Sequence, residues 1–97
     1  MNKDAIGNLI ALRRKLTHLL NSAQQNTVRH TLNELDIEIE NMEVALNEQQ
    51  GTALQALNLA AEKSCRHLER AIQDLQKGLD FAISINQALA TLSKALA

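Results

Sequence analysis

Residues 20–28 read LNSAQQNTV, and the choice of fold turns on how the chain passes through them. On the N-terminal side, apolar residues recur at Leu9, Leu12, Leu16 and Leu20. On the C-terminal side they recur at Val28, Leu32, Leu35, Ile39, Met42 and Leu46. Steps of three and four residues are the signature of a helix seam. Between Leu20 and Val28 the seam has a gap, and a regular step there would place Gln24 on it. Either one helix runs through with a local change of winding, or the chain breaks and a second helix starts at the capping-box pattern Ser22-Ala-Gln-Gln25.

Further along, residues 48–55 read EQQGTALQ, almost at the centre of the chain. Gly51 can take the left-handed conformation that ends a helix, and Thr52 can cap the next helix while Gln55 bonds back to its backbone. The seam then continues through Leu54, Leu57, Ala61, Cys65, Leu68, Ile72, Leu75 and Leu79, and less regularly through Ala82, Leu89, Leu92 and Leu96. Gly51 therefore reads as a hinge between two arms, about 3–49 and 53–96, each ~65–70 Å long if straight. Equal arms joined by a tight turn predict an antiparallel helical hairpin, with residue i roughly opposite residue 101 minus i. That rule sets the irregular stretch 22–27 against 74–79, which contains Gly78. The same coincidence fits an alternative, a compact three- or four-helix bundle with helices near 4–21, 27–49, 53–77 and 80–96. Lys77-Gly78-Leu79 would then be a helix stop.

Composition confines both forms to the all-α class. The chain has 97 residues, no Pro, Trp or Tyr, and Phe81 as its single aromatic residue. Its core must be built from Leu, Ile, Val, Ala and Met, which suit helix seams, within one helical domain over residues 1–97. Formal net charge is −1, so no global field favours nucleic acid or an anionic membrane. The distribution is uneven. Residues 1–25 carry Lys3, Arg13, Arg14 and Lys15 against Asp4, whereas residues 26–50 carry Arg29 against Glu34, Asp36, Glu38, Glu40, Glu43 and Glu48. The acidic residues wrap around their helix and read as a solubilising surface. A lone cysteine, Cys65, rules out an intramolecular disulfide and suits a reducing compartment. The N-terminus lacks the uninterrupted apolar run of a secretory signal, and no stretch approaches a membrane span, so a soluble, cytoplasmic protein is expected.

A lone hairpin buries one stripe per helix and leaves the other side wet. The segment LDFAISINQALATLSKAL, residues 79–96, is apolar nearly all round, and Ile6, Ile10 and Leu19 add apolar surface beside the N-terminal seam. This surplus predicts a homodimer forming a four-helix arrangement, with Ile6, Ile10, Leu19, Phe81, Ile83, Ile85, Leu89 and Leu92 at the dimer or partner interface.

The inventory for catalysis is poor. There is no glycine-rich phosphate loop, no G-x-S-x-G, no H-E-x-x-H and no cysteine pair, so no enzyme, cofactor or metal site is expected. Cys65 and His67 point about 200° apart on a helix, which makes Cys65 a small apolar filler of the seam. His30 and Glu34 lie one turn apart, and the hairpin rule adds His67. Arg66 and Arg70 stand beside that trio, which reads as a salt-bridged edge. Arg13-Arg14-Lys15 with His18 is the basic cluster, able to meet phosphates though without interleaved aromatic residues. The function expected is that of a non-enzymatic helical interaction protein, an adaptor, assembly factor or small secretion-type chaperone that self-associates and binds a protein client through helix grooves. The alternative is a dimeric nucleic-acid-binding regulator using Arg13, Arg14 and Lys15.

Overall fold

In the computed structural model, which describes residues 5–97, the chain forms four helices: α1 (Ala5–Leu19), α2 (Ser22–Glu48), α3 (Gly51–Gln76) and α4 (Ala82–Leu96). The all-α expectation holds. The two continuous arms do not, because each is broken once, as in the four-helix alternative. The start of the first arm, at residues 3 and 4, lies outside the described residues.

The first break falls at Leu20–Asn21, just ahead of the stretch 22–27, which is helical throughout. Asn21 takes an extended conformation and caps α2: its Oδ1 accepts from the Gln24 amide at 2.8 Å, and Gln24 Oε1 accepts from the Asn21 amide at 2.9 Å. The capping box therefore begins one residue earlier than the Ser22–Gln25 pattern. Its position frees Gln25 for a different task. The Gln25 side-chain Nε2 donates back to the carbonyls of Leu20 at 3.0 Å and Thr17 at 3.3 Å, so adjacent glutamines satisfy the facing ends of two helices. Leu20 and Val28, on either side of the gap in the seam, are both buried.

At the middle of the chain Gln49 and Gln50 are extended, and Gly51 has φ 62°. Gly51 is the first residue of α3, Thr52 lies inside that helix, and the N-cap residue Gln50 makes no side-chain cap. The Thr52–Gln55 cap expected from the sequence is replaced by extended backbone and a glycine turn. The second break is a complete Schellman motif. Gly78, at φ 73°, donates to the Leu75 carbonyl at 3.2 Å, and Leu79 donates to that of Asp74 at 2.8 Å. Asp80 Oδ1 then accepts from the Ala82 amide at 3.0 Å, which opens α4.

α3 is the central helix. It packs most extensively on α4 and α1, α2 packs mainly on α4, and the backbones of α1 and α4 stay more than 8 Å apart. α2 and α3 meet only slightly, so the expected seam between the two arms is not what holds the molecule together. Ser64 donates to the Ala88 carbonyl at 3.0 Å, and Ala60, Ala61, Ala71 and Ala88 are buried small residues on these two helices. Thr31 and Asn86, 3.2 Å apart, tie α2 to α4. Residues from all four helices, including Leu9, Leu16, Leu35, Met42, Leu68, Ile85 and Leu92, form one core cluster. The principal extents are 42 × 23 × 18 Å, so the long dimension is that of one 26- or 27-residue helix, far short of the ~65–70 Å arms. The physical reason is burial. Two long arms cover one stripe each, whereas folding both arms at their weak points brings α1 and α4 onto the stripes that a hairpin leaves wet.

Candidate functional site

The apolar residues expected at an interface divide into three groups. Ile85 and Leu92 are fully buried in the chain's own core. Ile6, Ile10, Phe81 and Leu89 are half-buried and pack against that core. Leu19 and Ile83 face outward, Ile83 at 60% exposure. The surroundings that the greasy C-terminal segment calls for are thus supplied in large part by α2 and α3 of the same molecule. Other aliphatic side chains remain outside: Ile37 and Val44 on α2 are 58% and 54% exposed, and Leu59 and Leu79 are also exposed. Ile37 and Val44 are seven residues apart, hence on one face of α2. The sequence reading missed that pair, because they fall between acidic residues and off the seam.

The basic cluster is not uniformly available. Arg13 is turned toward α2. Its Nη2 donates to Asp36 Oδ2 at 3.0 Å, Nε lies 2.8 Å from Oδ1 in an ionic contact too poorly angled for a hydrogen bond, and Nη1 donates to the Thr17 hydroxyl. Arg14, Lys15 and His18 are exposed. Arg29, from the first turns of α2, stands across a groove of about 200 Å³ lined by Arg13, Thr17, Gln25, Arg29, Leu32 and Asn33. Arg13 and Thr17 also border an adjoining hollow with Arg14, His18 and Asp36.

Between α3 and α4 lies a wider groove of about 600 Å³, with Arg66, His67 and Arg70 on one wall, Asp80, Ser84 and Gln87 on the other, and Asp74 near the turn. Arg70 Nε is 3.9 Å from Asp74 Oδ2, a loose pair within one helix. Here the structure separates the trio that the hairpin rule assembles. His30 Nε2 lies 2.7 Å from Glu34 Oε1 on the exposed side of α2, while His67 belongs to the α3–α4 groove. Among the described residues, no three of His, Cys, Asp and Glu converge as metal ligands. Cys65 is buried in the core cluster and its thiol donates to the Ala5 carbonyl at 3.4 Å, as the filler reading expects. Loss of solvent, with Glu69 and Glu62 nearby, pushes its pKa up to about 11, the opposite of an activated thiolate. No helix among the described residues is long and apolar enough to cross a membrane.

Comparison with protein-family models, with curated proteins and with solved structures gives no match to this chain.

Proposed function

We propose that this protein is a non-enzymatic helical interaction module of the adaptor, assembly-factor or small-chaperone kind, which self-associates and presents helix surfaces to a protein client. The observation that supports this reading is the set of large aliphatic side chains left outside a core that is otherwise closed: Ile37 and Val44 on α2, and Leu79 and Ile83 at the α3–α4 corner. Fully burying an exposed Leu or Ile contributes roughly 1.5–3 kcal/mol, and covering a side chain that is already near half-covered about half of that, so a patch of several outweighs an exposed ion pair at ~0–1. With Ile85 and Leu92 buried, the interface proposed from the sequence contracts to its exposed members, Leu19 and Ile83, with the half-buried Ile6, Ile10, Phe81 and Leu89 as partial contributors.

Sedimentation velocity at micromolar concentration tests the reading. A dimer is expected, and Phe81→Glu with Ile83→Glu is expected to dissociate it with helicity intact. Ile37→Glu with Val44→Glu is the comparison that places the contact on α2 instead. A stable monomer that retains no client through purification sinks the interaction reading.

The second reading, a nucleic-acid-binding regulator, has Arg14 and Lys15 exposed in its favour, while Arg13 is held along one edge by Asp36 and faces the α1–α2 groove instead of the outer surface. Binding to RNA or DNA that weakens steeply with added salt would favour it.

A further inference from the structure

The groove between α1 and α2 has a property that neither helix has alone. From Ala5 to Asn33 the sequence contains no Asp or Glu, while Arg13, Arg14, Lys15 and Arg29 all fall within that stretch. The break at Leu20–Asn21 folds it back on itself, so Arg29 comes to stand across the groove from Arg13. Thr17, Gln25 and Asn33 supply the polar part of the lining, and no carboxylate lines it. Asp36 sits on the adjoining hollow and holds one edge of the Arg13 guanidinium, which fixes the orientation of that group.

A guanidinium has five N–H donors in a rigid plane. Arg29 gives one to Asn26 Oδ1, and Arg13 gives one each to Asp36 and Thr17 and keeps its Nε against Asp36 Oδ1, which leaves one N–H on each Nη of Arg13 and further donors on Arg29 uncommitted. The Gln25 amide is anchored on the carbonyls of Thr17 and Leu20. We infer that this groove is an oxyanion site that takes a single phosphate group between Arg13 and Arg29, with the Asn33 amide as a third donor. Two guanidinium planes reaching in from different helices suit a tetrahedral group carrying ≈ −1.5 to −2 charge and three acceptor oxygens, whereas one planar carboxylate is filled by a single fork. The volume fits one such group and its water. This site requires no second copy of the chain, so it stands or falls independently of the interaction reading.

The test is a titration of the full chain followed by the NMR signals of the Arg13 and Arg29 Nε–H and the Asn33 amide, at ionic strength held constant with sodium chloride. Inorganic phosphate and phosphoserine are the two probes. Saturable shifts at these three residues are expected with phosphate and not with chloride, and the tighter of the two probes assigns the source, free ion or phosphorylated molecule. Arg29→Gln should weaken binding by about tenfold or more, the size expected for losing hydrogen bonds from a charged group. Asn33→Asp, which adds a carboxylate to the wall, should weaken it similarly. Arg29 and Asn33 are exposed, so circular dichroism should be unchanged in both variants. Equal shifts with chloride, or Arg29→Gln binding like the parent, would overturn the proposal. Binding to a single-stranded oligonucleotide with neither probe bound would also overturn it, in favour of a diffuse polyanion surface.

Discussion

Gly51 and Gly78 have φ of 62° and 73°, and a Cβ added at either would meet nothing within 4 Å, so the cost of substitution is conformational and not steric crowding by neighbours. Gly78→Ala and Gly51→Val are each expected to destabilise the fold by ~1 kcal/mol or more. Gly7, helical and equally uncrowded, should behave oppositely, with Gly7→Ala stabilising by up to roughly 1 kcal/mol. Urea unfolding of the three variants reads both signs in one series. Cys65 offers a pH test. Its folded pKa, about 11, exceeds the ordinary 9.0, so below pH 9 the thiol is protonated in both folded and unfolded chains and contributes no pH dependence. Between about pH 9 and 11 the unfolded chain releases a proton that the folded one keeps, and stability falls as pH rises. In Cys65→Ala that part of the alkaline fall should vanish. In the parent, alkylation of the thiol at pH 8 should be slow until denaturant is added.

Helix boundaries depend on how a few polar residues share the orphan groups of two facing ends. The junction of α1 and α2 was legible as a place, from the missing seam position between Leu20 and Val28, but not as a register. Asn21–Gln24 and Ser22–Gln25 both satisfy the capping-box spacing, and the choice follows from Gln25 being needed on the last carbonyls of α1. Asn21→Ala is expected to cost ~1 kcal/mol, the usual value for an N-cap. Gln25→Ala should cost up to a similar amount while leaving the α2 cap intact. Amide hydrogen exchange separates the two effects: loss of the cap should deprotect the Gln24 amide first. At the other break the Lys77-Gly78-Leu79 stop is legible as one alternative, because a glycine that can take the left-handed conformation is a local signal even inside the seam.

At the scale of the molecule, all four helices contribute to one core, although the backbones of α1 and α4 stay more than 8 Å apart. Leu9 on α1 and Leu92 on α4 are both fully buried, so Leu9→Ala and Leu92→Ala should each cost roughly 2–5 kcal/mol. In urea, far-ultraviolet circular dichroism and Phe81 side-chain signals should give coincident transitions in both variants; a separate early loss of α1 or α4 would show that the core is divided. Under conditions that keep the chain monomeric, such as the dissociating variant, solution scattering should return a particle about as long as α2 or α3 alone, with Cα radius of gyration near 13.1 Å. The candidate surfaces were only partly readable in advance. Arg13-Arg14-Lys15 stands out in the sequence, but its meeting with Arg29 depends on the chain reversal at Asn21, and Ile37 and Val44 become conspicuous only once the seam residues beside them are covered.

Helical class, the seam positions and the three points where helices can end were determined by the sequence itself, since propensity, periodicity and capping act within a few residues of each other. Whether those points are passed or broken was decided by tertiary structure. A continuous arm keeps more backbone hydrogen bonds at 20–21 and 77–81, whereas a break gives some of them up and brings α1 and α4 onto α3. The balance rests on apolar area gained between residues far apart in the chain, a quantity that no local pattern contains. For the same reason Ile85 and Leu92, apolar on paper in the same way as Ile83, lie in the interior while Ile83 faces the solvent.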